Sequence, residues 1–143
     1  MISIAIPTGR MMKECATILA QLGLPCSRLE NPGRALVISE RDRRYLLAKP
    51  MDVPAYVHYG AADMALAGSD VLMERKVPLV ELADTGAGRC RLVIAAPDPL
   101  VRKFASPGNH LNGLKVATKY PNIATSFFQD RKSTRLNSSH VSQ

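Results

Sequence analysis

Four short segments hold the residues able to do chemistry, and each joins a turn to a charge or a hydroxyl: Pro7-Thr8-Gly9-Arg10, Ala48-Lys49-Pro50-Met51-Asp52, Ala67-Gly68-Ser69-Asp70 and Thr118-Lys119-Tyr120-Pro121. Gly9 lets the backbone approach an anion, and Arg10 offers a fork of donors that suits phosphate. A solvated arginine after a plain turn is the alternative. Lys49 and Asp52 can order a nucleotide base or sugar, and they fit a surface ion pair beside a helix cap, which is the plainer reading. Ser69 and Asp70 can meet a ligand at a helix start, yet Ser and Asp are also the commonest N-caps. Thr118, Lys119 and Tyr120 can gather hydroxyl, ammonium and backbone N–H groups around a phosphate.

Other chemistries lack their residues. Gly86-Ala87-Gly88-Arg89 does not have the spacing of a phosphate-binding P-loop and reads as a hinge. His58 falls in an apolar helix and His110 in a polar loop, with no carboxylate or thiol at a ligand spacing, so no metal site is assigned to them. Neither a Gly-x-Ser-x-Gly elbow nor a Cys-His signature occurs, and nothing points to a covalent nucleophile.

The elements that must position these segments follow from pattern. Ser3 to Ile6 is short, apolar and β-prone and ends at Pro7-Thr8-Gly9, a strand running into a turn. Met11, Cys15, Ile18, Leu19 and Leu22 recur at helical spacing until Gly23 and Pro25 stop them. Ala35 to Ser39 and Tyr45 to Ala48 are apolar runs around the charged turn Glu40-Arg41-Asp42-Arg43, which predicts paired or neighbouring strands. A short helix is expected over residues 53–59, with Asp52 as N-cap and Gly60 as its stop. Met64 to Ala67 is again apolar, and a strand-to-helix step begins at Gly68-Ser69-Asp70. Leu79 to Ala83 and Lys115 to Ala117 read as strands, with the strongly apolar Leu92 to Ala96 between them. Pro97-Asp98-Pro99 and Ser106-Pro107-Gly108-Asn109 read as loops, and Pro121 to Phe128 begins a helix capped near Thr118 to Asn122. Strands alternating with helices predict an α/β fold with a mainly parallel sheet, and ligands then bind at the carboxyl ends of its strands. No repeat of solenoid length is present.

Composition bounds the partners. The 143 residues are 46% apolar and 22% charged, which is globular, and the net charge of +7 favours anionic partners such as nucleotides, sugar phosphates, nucleic acid or an acidic protein face. Only 5% of residues are aromatic, Trp is absent, and no long basic run occurs, so a nucleic-acid partner is not expected. No apolar run is long enough to span a membrane, and the N-terminus lacks the pattern of a secretory signal, so the cytoplasm is the expected compartment. Cys15, Cys26 and Cys90 are expected as reduced thiols.

From Asp130 the composition changes, with two apolar residues among the last fourteen. A disordered basic terminus fits such a segment. Asp-Arg-Lys-Ser-Thr-Arg-Leu-Asn-Ser-Ser-His, residues 130–140, more closely resembles the in-frame translation of a sequencing adaptor, and on that reading the native sequence stops near Gln129 and Ser138, Ser139 and His140 leave the catalytic candidates. Without Arg131, Lys132, Arg135 and Asp130 the net charge falls from +7 to +5.

In combination the segments are specific. Ile4-Ala-Ile-Pro-Thr-Gly-Arg10, Leu47-Ala-Lys-Pro-Met-Asp-Val-Pro-Ala-Tyr-Val57, Gly60-Ala-Ala-Asp-Met-Ala-Leu-Ala-Gly-Ser-Asp-Val71, Cys90-Arg-Leu-Val-Ile-Ala95 and Val116-Ala-Thr-Lys-Tyr-Pro-Asn122 resemble, in order, the motifs of the ATP phosphoribosyltransferase family, the first enzyme of histidine biosynthesis. The likeness covers Met1 to about Gln129, and Ala-Lys-Pro-Met-Asp is similar to the short form, which works with a partner subunit like histidyl-tRNA synthetase.

The resemblance implies a two-lobed, type II periplasmic-binding-protein-like fold, incomplete in this chain, with residues 1–85 in the first lobe and 86–129 forming the hinge and the start of the second, while 130–143 remain the adaptor-like tail. It implies a reaction joining N1 of the ATP adenine to C1 of phosphoribosyl pyrophosphate, with release of pyrophosphate and with magnesium. Arg10 then contacts phosphates, Lys49 and Asp52 line the nucleotide region, Asp70 helps hold the nucleotide, and Thr118, Lys119 and Tyr120 face the cleft from the second lobe. The family's Gly-Ser-x-Glu segment and Ser/Thr-Gly-x-Thr loop for phosphoribosyl pyrophosphate do not occur in this sequence, so the chain as given is expected to be inactive. The competing expectation is a non-catalytic module of the same bilobal fold that binds a small anion or nucleotide.

Overall fold

The computed structural model describes residues 1–105 and 115–138. The expected loop Ser106 to Asn109 and His110 lie outside the described residues, as do Ser139 and His140. The chain divides into two units, one of Met1–Gly88 together with the chain from Tyr120 onward, the other of Arg89–Lys119.

In the first unit a four-stranded sheet runs in the order β2-β3-β1-β4, with β1 at Ile2–Pro7, β2 at Val37–Glu40, β3 at Arg43–Ala48 and β4 at Met64–Ala65. β1 pairs in parallel with both β3 and β4, while β2 is antiparallel to β3 across the turn at Arg41 and Asp42. The central strand β1 is covered on both faces, so it reads as an apolar run broken only by Ser3. Its alternation sorts the core. Ile4 and Ile6 join Tyr45, Leu47 and Ile38 beneath Cys15 and Leu19 of the helix α1 (Arg10–Gln21). Ala5 and Ala48 face the other way, against Val53 of α2 (Val53–His58) and Ala62. Just past its C-cap Leu22, α1 is closed off by Gly23, whose φ of 71° allows Gly23 N to bond Ala20 O and Leu24 N to bond Leu19 O, both at 2.9 Å.

The start of β4 is pinned to β1 by one residue pair. Ser3 donates its backbone N–H and its hydroxyl to Asp63 Oδ2, each at 2.7 Å, and Asp63 N donates to Ser3 O at 3.0 Å. Beyond β4 the helix α3 (Ser69–Arg75) begins.

The second unit contains α4 (Asp98–Ala105). Pro97-Asp98-Pro99 therefore opens a helix where sequence predicted a loop: proline costs little in a first turn, whose N–H groups have no helical partner, and Asp98 complements the helix dipole. Leu79 to Ala83 and Lys115 to Ala117, expected as strands, form none. A strand needs a ladder for its backbone groups, and these runs find none among the described residues. Val80 is 84% exposed and Val93 77%.

α5 spans Pro121–Ser138 and belongs to the first unit. The chain returns to this unit at Tyr120, where the start of α5 is bonded to α3. The helix continues through residues 130–138, where composition alone suggests a break.

Candidate functional site at the carboxyl edge of the parallel strands

Because β1, β3 and β4 are parallel, their carboxyl ends open on one edge of the sheet, and Arg10, Lys49, Asp52 and Asp70 all follow from it. Pro7 is in register with Ala48, and Thr8 N donates to Ala48 O at 2.8 Å, so the exits toward Arg10 and Lys49 start side by side. Gly9 precedes α1 with φ 83° and ψ −144°, a conformation open only to glycine, and no atom lies within 4 Å of the place a Cβ would take. α1 has no side-chain cap, so its first N–H groups and the exposed Arg10 present positive charge at this edge.

Lys49 is exposed at the end of β3. Asp52 occupies the N-cap position of α2 but makes no side-chain cap bond. Its Oδ1 instead accepts a 3.1 Å bond from Arg75 Nη2, while Arg75 Nε donates to Met51 O at 2.7 Å. The ion pair at Asp52 is thus made with Arg75 and not with Lys49, and it ties the loop after β3 to the end of α3. Both side chains are about half exposed, 46% and 50%, so the pair stabilises little, at most ~1 kcal/mol.

Asp70, in the first turn of α3, accepts a 2.5 Å hydrogen bond on Oδ2 from the Tyr120 hydroxyl. A Cβ at Gly68 would run into the other oxygen of the same carboxylate, so glycine there leaves Asp70 its room. One turn further along α3, the buried Glu74 accepts the backbone N–H groups of Asn122 on Oε1 and Ile123 on Oε2, both at 3.0 Å. Tyr120 therefore joins Asp70, whereas Thr118 and Lys119 belong to the second unit.

Glu74 and Arg75 are not among the residues that the sequence singles out, and Asn122 appears there only at the edge of the expected cap. Only the spacing of Asp70 and Glu74, four apart and hence on one helical face, hinted at them. The cap expected for α5 within Thr118 to Asn122 comes from Glu74. A depression of about 490 Å³ lined by Lys13, Thr17, Cys26 and Glu30 among others contains none of the expected site residues.

Among the described residues no three His, Cys, Asp or Glu side chains gather as metal ligands. No described helix is long and apolar enough to cross a membrane.

A family profile described as HisG: ATP phosphoribosyltransferase matches residues 49–141. The chain belongs to the ATP phosphoribosyltransferase family. The match takes in Lys49, Asp52, Asp70, Glu74 and Tyr120, and it extends into the segment that resembles an adaptor. Curated ATP phosphoribosyltransferases are similar along most of the chain: that of Caldanaerobacter subterraneus subsp. tengcongensis is 37% identical over 132 residues, 91% of this chain and 60% of that protein. The Thermoanaerobacter sp. strain X514 protein is 39% identical over 91% of this chain and 59% of its own. This chain thus spans about 60% of the length of the relatives it matches. A solved structure titled ATP phosphoribosyl transferase (HisG:HisZ) complex from Thermotoga maritima superposes with a TM-score of 0.60 over 92% of this chain and 59% of its own, at 24% identity, which shows a shared mixed α/β fold.

Proposed function

We propose that the carboxyl edge of β1, β3 and β4 is the nucleotide side of an ATP phosphoribosyltransferase active site, in a protein that performs the first step of histidine biosynthesis. The Asp70–Tyr120 hydrogen bond at the start of α3 carries this reading: it brings Tyr120, expected to face the cleft, onto Asp70, expected at the nucleotide, from segments 50 positions apart. The complete protein has the two-lobed, type II periplasmic-binding-protein-like fold and works in the cytoplasm with a histidyl-tRNA-synthetase-like regulatory subunit. The HisG:HisZ title of the Thermotoga maritima structure supports a two-component assembly.

The reaction needs charge control more than a nucleophilic side chain. The lone pair of adenine N1 attacks C1 of phosphoribosyl pyrophosphate as the C1–O bond breaks, and pyrophosphate leaves with that electron pair. Arg10 and the first turn of α1 hold phosphate oxygens. Lys49 offsets substrate charge as the anion departs. Asp52, held by Arg75, shapes the loop beside the nucleotide. Asp70 and Tyr120 orient the base or ribose, with Thr118 and Lys119 directly before Tyr120 in the chain. Magnesium, when bound, would neutralise charge on the substrates' phosphates and would ask few ligands of the protein.

The 143 residues alone do not turn over, a reading supported by the missing Ser/Thr-Gly-x-Thr loop and by the 60% span of the relatives. We read residues 130–143 as adaptor-derived. Source DNA that runs on from codon 129 into Gly-Ser-x-Glu supports that; DNA that encodes residues 130–143 overturns it. The functional test is formation of phosphoribosyl-ATP from ATP and phosphoribosyl pyrophosphate by the full-length protein carrying these residues. Product is expected, with turnover falling or KM rising in Arg10→Ala. Unchanged turnover and unchanged Michaelis constants remove Arg10 from the site, and no product from the full-length protein overturns the assignment.

A further inference from the structure

Glu74 is 4% exposed, and the chemistry above gives it no task. Its surroundings show one. At the start of α5 the first residue, Pro121, has no N–H, and the first intrahelical bond runs from Ala124 N to Tyr120 O at 3.0 Å. The N–H groups left without helical partners are those of Asn122 and Ile123, and the two oxygens of Glu74 take one each, at 3.0 Å. Asn122 returns the service: its Nδ2 donates at 2.9 Å to the backbone oxygen of Glu74, one of the carbonyls orphaned at the end of α3. Each helix end is thus closed by a residue of the other.

The usual place for such a cap is the residue before the helix, which is Tyr120. Its hydroxyl is bonded to Asp70 instead. Asp70 and Glu74 stand one turn apart on α3, and their partners, Tyr120 and Asn122, stand on either side of Pro121. Two tethers therefore fix the start of α5, one at each carboxylate. If the Glu74 tether is lost, the first turn of α5 frays, and the phenol of Tyr120 loses its fixed approach to Asp70.

We propose that Glu74 is a positioning residue: by closing the N-terminus of α5 it holds the Tyr120 hydroxyl on Asp70 and so sets the geometry of the nucleotide site. This rests on the nucleotide reading above. The test is ATP affinity, by calorimetry in the full-length protein, together with amide hydrogen exchange at Asn122 and Ile123. In Glu74→Gln one oxygen becomes an amide that cannot accept; exchange at both amides is expected to speed up, and ATP affinity to fall about tenfold. In a Tyr120→Phe background the same change costs less than about twofold, because the hydroxyl it positions is already gone. Fully additive losses contradict the proposal, as does ATP affinity that stays at the wild-type value while exchange quickens, since Glu74 is then structural only. Should Glu74→Gln fail to fold, Asn122→Ala removes the reciprocal bond alone, and about a threefold loss of ATP affinity is expected; no loss overturns the proposal. Wild-type protein that binds no ATP brings down the nucleotide reading and this inference with it, an outcome distinct from wild-type binding that Glu74→Gln leaves intact.

Discussion

Tyr120 donates its phenolic proton to Oδ2 of Asp70 across 2.5 Å and 50 residues of sequence. The chain leaves the first unit after Gly88 and rejoins it at Tyr120, so this bond forms where the excursion ends. Removing the hydroxyl removes one charge-assisted hydrogen bond, worth about 1.5–3 kcal/mol where water is excluded. In full-length protein, Tyr120→Phe is expected to raise the KM for ATP roughly tenfold or more while the KM for phosphoribosyl pyrophosphate stays within about twofold. Equal effects on both substrates place Tyr120 elsewhere than at the nucleotide.

Gly9 makes a second prediction. A Cβ there meets no neighbour, so the cost of Gly9→Ala is conformational: at φ 83° and ψ −144° an L side chain is strained by about 1–3 kcal/mol. Denaturant midpoints should fall accordingly, and relaxation of the turn should displace Arg10 and weaken phosphate binding. A midpoint equal to wild type means that the turn adapts without strain.

The acid limb of stability reports on Asp63 and Glu40. Two bonds from Ser3, chiefly from its hydroxyl, hold the Asp63 carboxyl below its ordinary 3.8, and the Ser27 hydroxyl with the N–H groups of Arg28 and Ser27 holds Glu40 below 4.5. Both values are lower in the folded state. Their contribution is therefore complete above the unfolded values and is lost as pH falls through the folded ones. Melting curves of wild type should drop more steeply below about pH 4 than those of Asp63→Asn or Glu40→Gln, which start less stable at pH 7. Parallel curves contradict the coupling.

Exposed apolar runs carry a prediction for the chain as it stands. Val80, Leu82, Val93 and Ile94 are 84%, 78%, 77% and 59% exposed, and such surface drives association. Sedimentation of the 143-residue chain is expected to show concentration-dependent self-association; a monomer with a sharp two-state melt contradicts this.

These runs also show where local pattern misleads. Ser3 to Ile6 and Leu79 to Ala83 look alike as short apolar segments. The first lies between two strands, so its donors and acceptors are met and Ile4 and Ile6 are buried; the second has composition but no ladder. The helices after Gly9, Asp52 and Gly68 were legible, because glycine, proline and acidic residues mark their ends. The Glu74 cap was not, since a bond between a side chain and a backbone 48 residues away leaves no periodic trace. Asp52 was legible as a strand-end carboxylate, but its partner Arg75 was not, for the same reason.

The central claim is that the edge carrying Arg10, Lys49 and Asp70 holds the nucleotide. Calorimetric titration of ATP into full-length wild type and into Asp70→Asn tests it most directly. Saturable binding to wild type is expected, with at least about a tenfold loss in Asp70→Asn and the fold retained. ATP that fails to bind wild type, or that binds Asp70→Asn equally well, contradicts it.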